Sequence, residues 1–243
     1  MKGIICAGGK GTRLYPLTRA TNKHLLPVYN KPMIFYPIDT LVSAGVTDVL
    51  IVVSEPHSGD FINVLRNGED VGLKKIEYAF QDEDILGIAG AISCGEDFAD
   101  NESVVVILGD NTTDADISKE VHNFKGGAEI FLRKVKDPQR FGVPAFDSKG
   151  EVIEIEEKPS KPKSDFAVTG LYIYDCTLFD KIRKLKPSKR GELEITDINN
   201  MYIKERKMLW SELKGFWTDA GTFESLFEAN KYWASKSTKG LKK

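Results

Sequence analysis

The stretch AGGKGTRLYPLT, residues 7–18, follows directly on a short apolar run, residues 3–7, that is typical of a buried strand. Its three glycines let the backbone turn with positive φ and approach a ligand without hindrance from a Cβ atom. Successive exposed N–H groups in such a turn bind anions, and Arg13 adds a planar charged group that suits phosphate oxygens. A glycine loop with an arginine after a first strand predicts a nucleotide-phosphate site in an α/β fold.

Two commoner phosphate-binding loops do not fit this stretch. The P-loop pattern requires Ser or Thr after Gly-Lys, but Lys10 is followed by Gly11. The Rossmann fingerprint requires a third glycine three residues after its second, where Leu14 stands. A glycine-rich surface turn without a ligand is the remaining alternative, and so many glycines beside an Arg and a Thr argue against it.

The composition is that of an ordinary soluble protein. Of the 243 residues, 34 are Lys or Arg and 36 are Asp or Glu, which gives a net charge of -2. This balance predicts no nucleic-acid partner and no anionic membrane surface, and no apolar run approaches the roughly 20 residues that span a bilayer. The N-terminus has no signal-peptide pattern, and three cysteines without CxxC spacing indicate reduced thiols. We therefore expect a cytoplasmic protein.

The first half of the chain alternates strand and helix patterns. Short runs rich in β-branched and aromatic residues predict buried parallel strands at residues 49–53, 76–80, 104–108 and 130–135. Helix patterns lie around and between them at residues 33–44, 60–67, 87–98 and 117–124. This order is typical of a doubly wound, mostly parallel central sheet covered by helices on both faces. Ligands of such sheets bind beyond the carboxyl ends of the strands.

The second half predicts a smaller, β-rich part. Residues 143–146 and 152–156 flank the turn sequence DSKG and predict a hairpin, followed by a strand at residues 166–174. Helices are expected at residues 178–185, 197–204 and 223–235, and a frayed tail at residues 236–243.

Further motifs lie along the whole chain. They are NKHLLP (22–27), KPM (31–33), LGDN (108–111), EEKP (156–159), VTGLY (168–172), RGELEITD (190–197) and WTDAGT (217–222). Together with the glycine loop, and in this order, they resemble the sugar-nucleotide pyrophosphorylases, a nucleotidyltransferase family, and within it the short-form glucose-1-phosphate thymidylyltransferases.

The resemblance implies a Rossmann-like nucleotidyltransferase fold with a single domain over residues 1–243. In that domain, residues 1–135 mainly bind nucleotide and residues 136–235 mainly bind sugar phosphate. The implied reaction transfers a nucleotidyl group from dTTP to glucose 1-phosphate and gives dTDP-glucose and pyrophosphate, with Mg²⁺ as cofactor. A sugar phosphate oxygen attacks the α-phosphorus in line, so the protein has to align two phosphates and neutralise charge. The family further implies a homodimer or homotetramer, commonly in a dTDP-rhamnose pathway.

For the nucleotide, the resemblance implies that Arg13 and Lys23 are the cations of the triphosphate. With Asp110, they are the expected catalytic residues. Gln81 would read a pyrimidine edge with one donor and one acceptor, assisted by the backbone of Gly87. The glycine loop supplies the remaining expected nucleotide contacts, from Ala7, Gly8, Gly9, Gly11 and Thr12. A solvated Lys23 and a surface Gln81 are the alternatives.

Asp110 and Asp219 are the metal ligands that the resemblance implies. Asp110 ends a predicted buried strand, where a carboxylate is costly unless it has a cation partner. Asp219 lies just before the last predicted helix. Mg²⁺ takes one or two carboxylates plus substrate phosphate oxygens. The alternatives are capping roles, for Asp110 at a turn and for Asp219 before a helix.

Five residues are assigned to the sugar phosphate by the resemblance. Two would clamp the phosphate and three would line the hexose: Lys158 and Arg190, then Gly142 (through its backbone), Glu157 and Val168. Phe141 stands where many relatives have Tyr, which removes one hydroxyl contact. Trp217 and Phe216 are expected to pack in the core.

Two alternative functions stay open. One keeps the chemistry and replaces dTTP with UTP, or glucose 1-phosphate with another sugar 1-phosphate. The other is a catalytically silent sugar-nucleotide sensor, since fold does not fix function. A sensor could lose any of the charged residues that the reaction needs. This chain has all of them, which argues against a sensor: Arg13, Lys23, Asp110, Lys158 and Asp219. Longer family members carry extra C-terminal helices that help form a second nucleotide site, so we expect nucleotide sugars to inhibit this chain only at the active site.

Overall fold

The structure, a computed structural model, describes residues 1–9, 11–54, 57–82 and 87–240, and these residues form thirteen strands and eight helices. The strands are β1 (Lys2–Ala7), β2 (Pro27–Val28), β3 (Lys31–Pro32), β4 (Asp48–Val53), β5 (Lys75–Phe80), β6 (Val104–Leu108), β7 (Asn111–Thr113), β8 (Ala128–Lys134), β9 (Gly142–Phe146), β10 (Val152–Glu157), β11 (Phe166–Tyr174), β12 (Met208–Glu212) and β13 (Trp217–Asp219). The helices are α1 (Phe35–Ser43), α2 (Ser58–Leu65), α3 (Ile88–Ser93), α4 (Glu96–Ala99), α5 (Ser118–Asn123), α6 (Leu178–Ile182), α7 (Ile195–Lys204) and α8 (Phe223–Gly240).

The central sheet has seven strands among the described residues, in the order β12-β8-β11-β6-β1-β4-β5. Every neighbouring pair is parallel except the two that involve β11. The inner strands β1, β4 and β6 are apolar and almost wholly buried because separate hydrophobic clusters cover the two faces of the sheet. The prediction of a mostly parallel α/β sheet is confirmed.

The carboxyl ends of β1 and β6 lie side by side at the middle of this sheet. Cys6 pairs with Leu108 in the parallel register, and the N–H of Gly109 donates to the carbonyl oxygen of Cys6 over 2.9 Å. The glycine loop that follows β1 and Asp110 that follows β6 are therefore neighbours.

Small antiparallel pairs complete the fold above this edge. β9 and β10 form the predicted hairpin, in which Gly142 lies opposite Glu157. β7 and β13 pair so that Asn111 lies opposite Asp219, and the N–H of Ala220 donates to the carbonyl oxygen of Asp110 over 2.8 Å. This pairing joins two motifs that are a hundred residues apart in sequence.

Some sequence predictions of local structure were wrong. The helix predicted at residues 87–98 is divided into α3 and α4 at Gly95, where a Cβ atom would lie 2.7 Å from Ile4 Cδ1. The last helix, predicted at residues 223–235, continues to Gly240, and Lys236 Nζ pairs with Asp114 Oδ2 over 2.7 Å. Residues 241–243 of the predicted tail lie outside the described residues.

No helix within the described residues has the length and apolar character needed to cross a membrane.

Candidate active site

Two cavities lie at the carboxyl ends of β1 and β6, and they share a wall. The first, of about 510 Å³, is lined among others by Gly8, Gly9, Lys23, Gln81 and Gly87. The second, of about 640 Å³, is lined among others by Arg13, Gly142, Glu157, Lys158, Val168 and Asp219. Ile88, Leu108 and Asp110 line both cavities. Ligands in the two cavities would therefore meet at Asp110.

Lys23 and Asp110 form a close ion pair at this shared wall, with 2.5 Å between Lys23 Nζ and Asp110 Oδ2. Lys23 begins a short helical turn, Lys23–Leu25, which Asn22 caps by accepting the N–H of His24 over 3.0 Å. Burial alone would raise the pKa of Asp110, but the ammonium of Lys23 outweighs it and lowers that pKa well below its usual range. Asp110 is consequently an ionised carboxylate at neutral pH.

His24, the residue next to Lys23, is buried and neutral. Burial first, and then the charge of Lys23, lower the pKa of its imidazole to about 3. Nδ1 lies 2.7 Å from Asn22 Oδ1, and the ring packs so closely on Gly109 that a Cβ there would lie 2.8 Å from His24 Cδ2. His24 thus fixes the turn that carries Lys23 against the end of β6.

Asp219 lines the second cavity and lies opposite Asn111 in the β7–β13 pairing. Its pKa is raised to about 6, first by burial and then by the negative charge of Asp110, while the positive charge of Arg140 opposes both. Arg140 Nη2 lies 3.4 Å from Asp219 Oδ2, a long contact, and Nη1 is engaged with Asp137 over 2.8 Å. Asp219 is therefore less fully neutralised than Asp110.

This raised pKa predicts a pH-dependent stability. The folded state holds the Asp219 proton more tightly than the unfolded chain does. The contribution of this proton to the free energy of unfolding is therefore complete below pH 3.8 and is lost as the pH rises through about 6. In EDTA at pH 7.5, Asp219→Asn should therefore be more stable than the wild type by up to about 3 kcal/mol. The advantage should shrink at pH 5 in denaturant unfolding. An advantage that is equal at both pH values would contradict the prediction.

Arg13 lies between the glycine loop and the last helix. A Cβ on Gly221 would lie 3.1 Å from Arg13 Nη2 and 3.4 Å from Asp110 Oδ2, which places the guanidinium and this carboxylate on the same small patch of backbone. The absence of a side chain at Gly221 leaves the room that Arg13 occupies. Arg13 is otherwise exposed and lines the second cavity, so its charge faces that cavity.

Of the remaining loop residues, Gly8 lies against Gln81. A Cβ on Gly8 would lie 2.6 Å from Gln81 Oε1, so only glycine allows this approach. Ala7 is buried at the end of β1, and none of Ala7, Gly11 and Thr12 is among the described residues that line either cavity. Lys10 lies outside the described residues.

Gln81 and Gly87 lie together in the first cavity. Gln81 Nε2 donates to the carbonyl oxygen of Gly87 over 3.0 Å. Gly87 has φ of +96°, and a Cβ there would lie 2.5 Å from the carbonyl oxygen of Leu193. Gly87 thus contacts both Gln81 and the segment that carries Arg190, residues 190–197.

The predicted hexose residues gather in the second cavity. Glu157 Oε2 accepts a hydrogen bond from Thr196 Oγ1 over 2.7 Å, and a Cβ on Gly142 would lie 3.5 Å from the same Glu157 oxygen. Lys158 follows with φ of +47°, which non-glycine residues seldom adopt, held by its N–H bond to Phe141 O over 2.9 Å. Val168 contributes an apolar wall.

Arg190 is placed differently from Lys158, the other residue predicted to bind the sugar phosphate. Its guanidinium bonds to both carboxylate oxygens of Glu194 at 2.8 and 2.9 Å, and it lies 3.4 Å from Glu192 and 3.7 Å from Glu157. It is not one of the residues that line the second cavity. Of these three carboxylate partners, only Glu157 lines the second cavity.

Three further residues of the second cavity were not predicted. Arg140 pairs with Asp219, and Thr196 orients Glu157. Asn111 Nδ2 donates to Asp110 Oδ1 over 3.2 Å, while its Oδ1 accepts from Trp217 Nε1 and the N–H of Gly170. Asn111 and Thr196 belong to the quoted motifs, so a search of those motifs for side chains that support a charged neighbour would have found them.

The described residues hold no group of three or more His, Cys, Asp or Glu side chains that could bind a metal ion. Asp110 and Asp219 both line the second cavity, and Asp110 also lines the first. Two carboxylates are a donor set that fits Mg²⁺, which completes its octahedron with water and phosphate oxygens. The raised pKa of Asp219 beside Asp110 indicates negative charge that local cations do not fully offset.

Comparison with known proteins accounts for this architecture. The sequence matches the nucleotidyl transferase family over residues 2–236. The chain belongs to the nucleotidyl transferase family. Its relatives in that family include the glucose-1-phosphate thymidylyltransferase of Neisseria meningitidis serogroup A, at 46% identity over 94% of this chain and 81% of the relative. That of Mycolicibacterium smegmatis is 42% identical over 96% of this chain and 82% of the relative.

Solved structures of nucleotidyl transferases share the fold. A Bacillus anthracis protein crystallised with sucrose and described as a glucose-1-phosphate thymidylyltransferase matches with a TM-score of 0.90 at 49% identity, covering 96% of this chain and 94% of its own. A UDP-glucose pyrophosphorylase in complex with UDP-glucose matches with a TM-score of 0.83 at 25% identity, covering 97% and 98%. The resemblance inferred from the motifs is confirmed.

Proposed function

We propose that this chain transfers a thymidylyl group from dTTP to glucose 1-phosphate and gives dTDP-glucose and pyrophosphate. The observation that carries the proposal is the shared wall of the two cavities. One cavity presents the glycine loop and Lys23, the other presents Glu157 and Lys158, and both open on Asp110. The names of the relatives, glucose-1-phosphate thymidylyltransferases at 42–47% identity, support the same substrate pair.

In this proposal, the nucleotide occupies the first cavity and the sugar phosphate the second. The loop N–H groups and Lys23 hold the triphosphate, and Gln81 with Gly87 contacts the pyrimidine. An oxygen of the sugar phosphate then approaches the α-phosphorus from the second cavity, opposite the departing pyrophosphate. Arg13 offsets the charge that shifts toward that leaving group, and alignment of the two phosphates supplies most of the remaining rate enhancement.

Asp110 and Asp219 are the proposed Mg²⁺ ligands. Mg²⁺ bound there would offset phosphate charge and hold the α-phosphate for attack. Lys23 keeps Asp110 ionised and fixed at 2.5 Å, so this ligand needs no deprotonation near neutral pH. The pKa of Asp219 is raised by burial and by the charge of Asp110, so Asp219 is the ligand whose availability to a metal ion would fall first as the pH is lowered.

The proposal extends to the organisation of the chain. Residues 1–135 supply most of the first cavity and residues 136–235 most of the second, but Glu192 lines the first and Arg13 the second. We therefore propose one domain in which both halves contribute to each subsite.

A homodimer or homotetramer is proposed on the family resemblance, and exposed Phe223 and Phe227 on α8 provide an apolar surface for it. Three free cysteines support a reducing, cytoplasmic compartment.

Replacing Lys158 should separate the two substrates kinetically. Lys158→Ala is expected to raise the KM for glucose 1-phosphate by about 10-fold or more, the loss of a charge-assisted contact. The KM for dTTP should change less than twofold, because Lys158 lines only the second cavity. Lys161→Ala removes an exposed lysine of the same loop and serves as the matched control. A change confined to the KM for dTTP would show that Lys158 is assigned to the wrong substrate.

The test of the proposed function is pyrophosphate release across a grid of triphosphates and sugar 1-phosphates. We expect dTTP with glucose 1-phosphate to give the highest kcat/KM. The similarity to UDP-glucose pyrophosphorylase makes UTP the second candidate, and a UTP optimum would replace the base in the proposal. A kcat/KM for ATP or GTP that equals that for dTTP would contradict pyrimidine recognition by Gln81. Release from no pair would favour the catalytically silent sensor.

A further inference from the structure

Arg140 is a charged residue of the second cavity to which the sequence motifs assign no role. It ends the short helical turn Pro138–Arg140, between β8 and β9, and its N–H donates to the carbonyl oxygen of Asp137 over 3.2 Å. Its guanidinium carbon lies 5.2 Å from the centre of the Phe141 ring, within the range of a cation–π contact. The backbone and the ring therefore hold the guanidinium at the cavity wall.

The two terminal nitrogens of Arg140 are engaged unequally. Nη1 donates to Asp137 Oδ2 over 2.8 Å, whereas Nη2 reaches Asp219 Oδ2 only over 3.4 Å. A contact of 3.4 Å is beyond the usual range for a charge-assisted hydrogen bond and contributes less than one of 2.8 Å. Nη2 can therefore exchange its partner while Nη1 and the Phe141 ring keep the guanidinium in place.

The second cavity has few cations that could bind a phosphate group. Among the described lining residues, they are Arg13, Arg140 and Lys158. Arg13 lies against Gly221 and Asp110, at the wall shared with the first cavity. Arg190 is held by Glu194 and does not line the cavity. A phosphate on a hexose beside Glu157 would thus face Lys158 and Arg140.

We propose that Arg140 is a ligand of the sugar 1-phosphate, which its Nη2 binds in exchange for Asp219. The inference rests on the proposed function for the identity of this occupant. A guanidinium presents planar N–H donors that match phosphate oxygens, and a phosphate carries more charge than the single carboxylate it would replace. In the metal-free protein, Asp219 therefore competes with the sugar phosphate for Arg140.

Calorimetric titration of glucose 1-phosphate into the metal-free full chain in EDTA tests this competition, with glucose as the phosphate-free ligand. Asp219→Asn should tighten glucose 1-phosphate binding about fivefold, since Arg140 is then released. In an Arg140→Gln background the same change should have less than half that effect. Arg140→Gln should weaken binding about 10-fold in the Asp219→Asn protein and leave glucose binding unchanged, and Arg19→Gln should change neither. An equal effect of Asp219→Asn in both backgrounds would overturn the proposal, because the gain would then come only from the lost negative charge.

Steady-state kinetics separate this inference from the proposed function. Arg140→Gln should raise the KM for glucose 1-phosphate about 10-fold and change the KM for dTTP less than twofold. Arg140→Lys should raise the KM for glucose 1-phosphate less than Arg140→Gln does. Normal turnover with an unchanged sugar-phosphate KM would overturn the role of Arg140 and leave the proposed function standing. Phosphate-dependent binding through Arg140, without turnover on any substrate pair, would support Arg140 and contradict the proposed function. If the wild type neither bound glucose 1-phosphate in calorimetry nor used it in turnover, both the role of Arg140 and the proposed function would be overturned.

Discussion

Asp110→Asn and Asp219→Asn are each expected to lose most of the nucleotidyl transfer activity, by about 10²–10³-fold or more in kcat. Each change keeps the size of the side chain and removes one carboxylate charge from the lining of the second cavity. The β7–β13 pairing places Asp219 opposite Asn111, the residue that follows Asp110, and groups that act as a unit have non-additive effects. The double variant should therefore be little worse than the poorer single variant when pyrophosphate release is measured.

Asp70→Asn provides the control for this pair, since Asp70 is exposed on a turn remote in sequence from the site motifs. Losses that multiply in the double variant would show that the two aspartates act independently. Undiminished turnover in EDTA would show that they share no metal ion. Either result would remove the proposed Mg²⁺ site and leave the two cavities without their common electrostatic centre.

Arg13→Ala is expected to lower kcat by about 10²–10³-fold, the typical cost of one preorganised group that stabilises developing charge. Its guanidinium lies against Gly221, close to Asp110, where charge would shift as pyrophosphate departs. Because that charge develops in the transition state, the KM for dTTP should change much less than kcat. Initial rates at saturating glucose 1-phosphate measure both constants.

Arg19→Ala removes an exposed arginine of the neighbouring short turn, Leu17–Arg19, and should have nearly wild-type kinetics. If Arg13→Ala raised only the KM for dTTP, Arg13 would be a ground-state binding residue. If Arg19→Ala showed the same loss, the general positive charge of the loop would explain the effect better than the position of Arg13.

The central sheet could be predicted because its strands are short, apolar and separated by helix patterns. Periodicity sees a buried strand such as β6 within the chain itself. The edge strand β12 was missed because its residues are only partly buried and its apolar run, Met208–Trp210, has only three residues. β7 and β13 were missed because each has three residues, and their pairing depends on a contact across a hundred positions.

The residues of the candidate site could likewise be predicted only where local motifs identify them. The motifs pointed to Lys23, Asp110 and Glu157, and the structure brings them to two adjoining cavities. The motifs could not reveal that Arg190 turns toward Glu194, because that arrangement depends on competing ion pairs within one acidic segment. Nor could they reveal Arg140, whose partner Asp219 lies 79 positions away. Local pattern specifies which side chains are present, and long-range packing decides which of them face the ligand.

The reaction itself is tested most directly by phosphorus NMR of the full chain with Mg²⁺, dTTP and glucose 1-phosphate. The account predicts that the signals of dTTP and the sugar phosphate decline together, while a nucleotide-sugar diphosphate and pyrophosphate appear in equal amounts. The same mixture with the Asp110→Asn variant should remain largely unconverted. Formation of inorganic phosphate in place of pyrophosphate, or loss of dTTP without consumption of glucose 1-phosphate, would contradict nucleotidyl transfer between the two cavities.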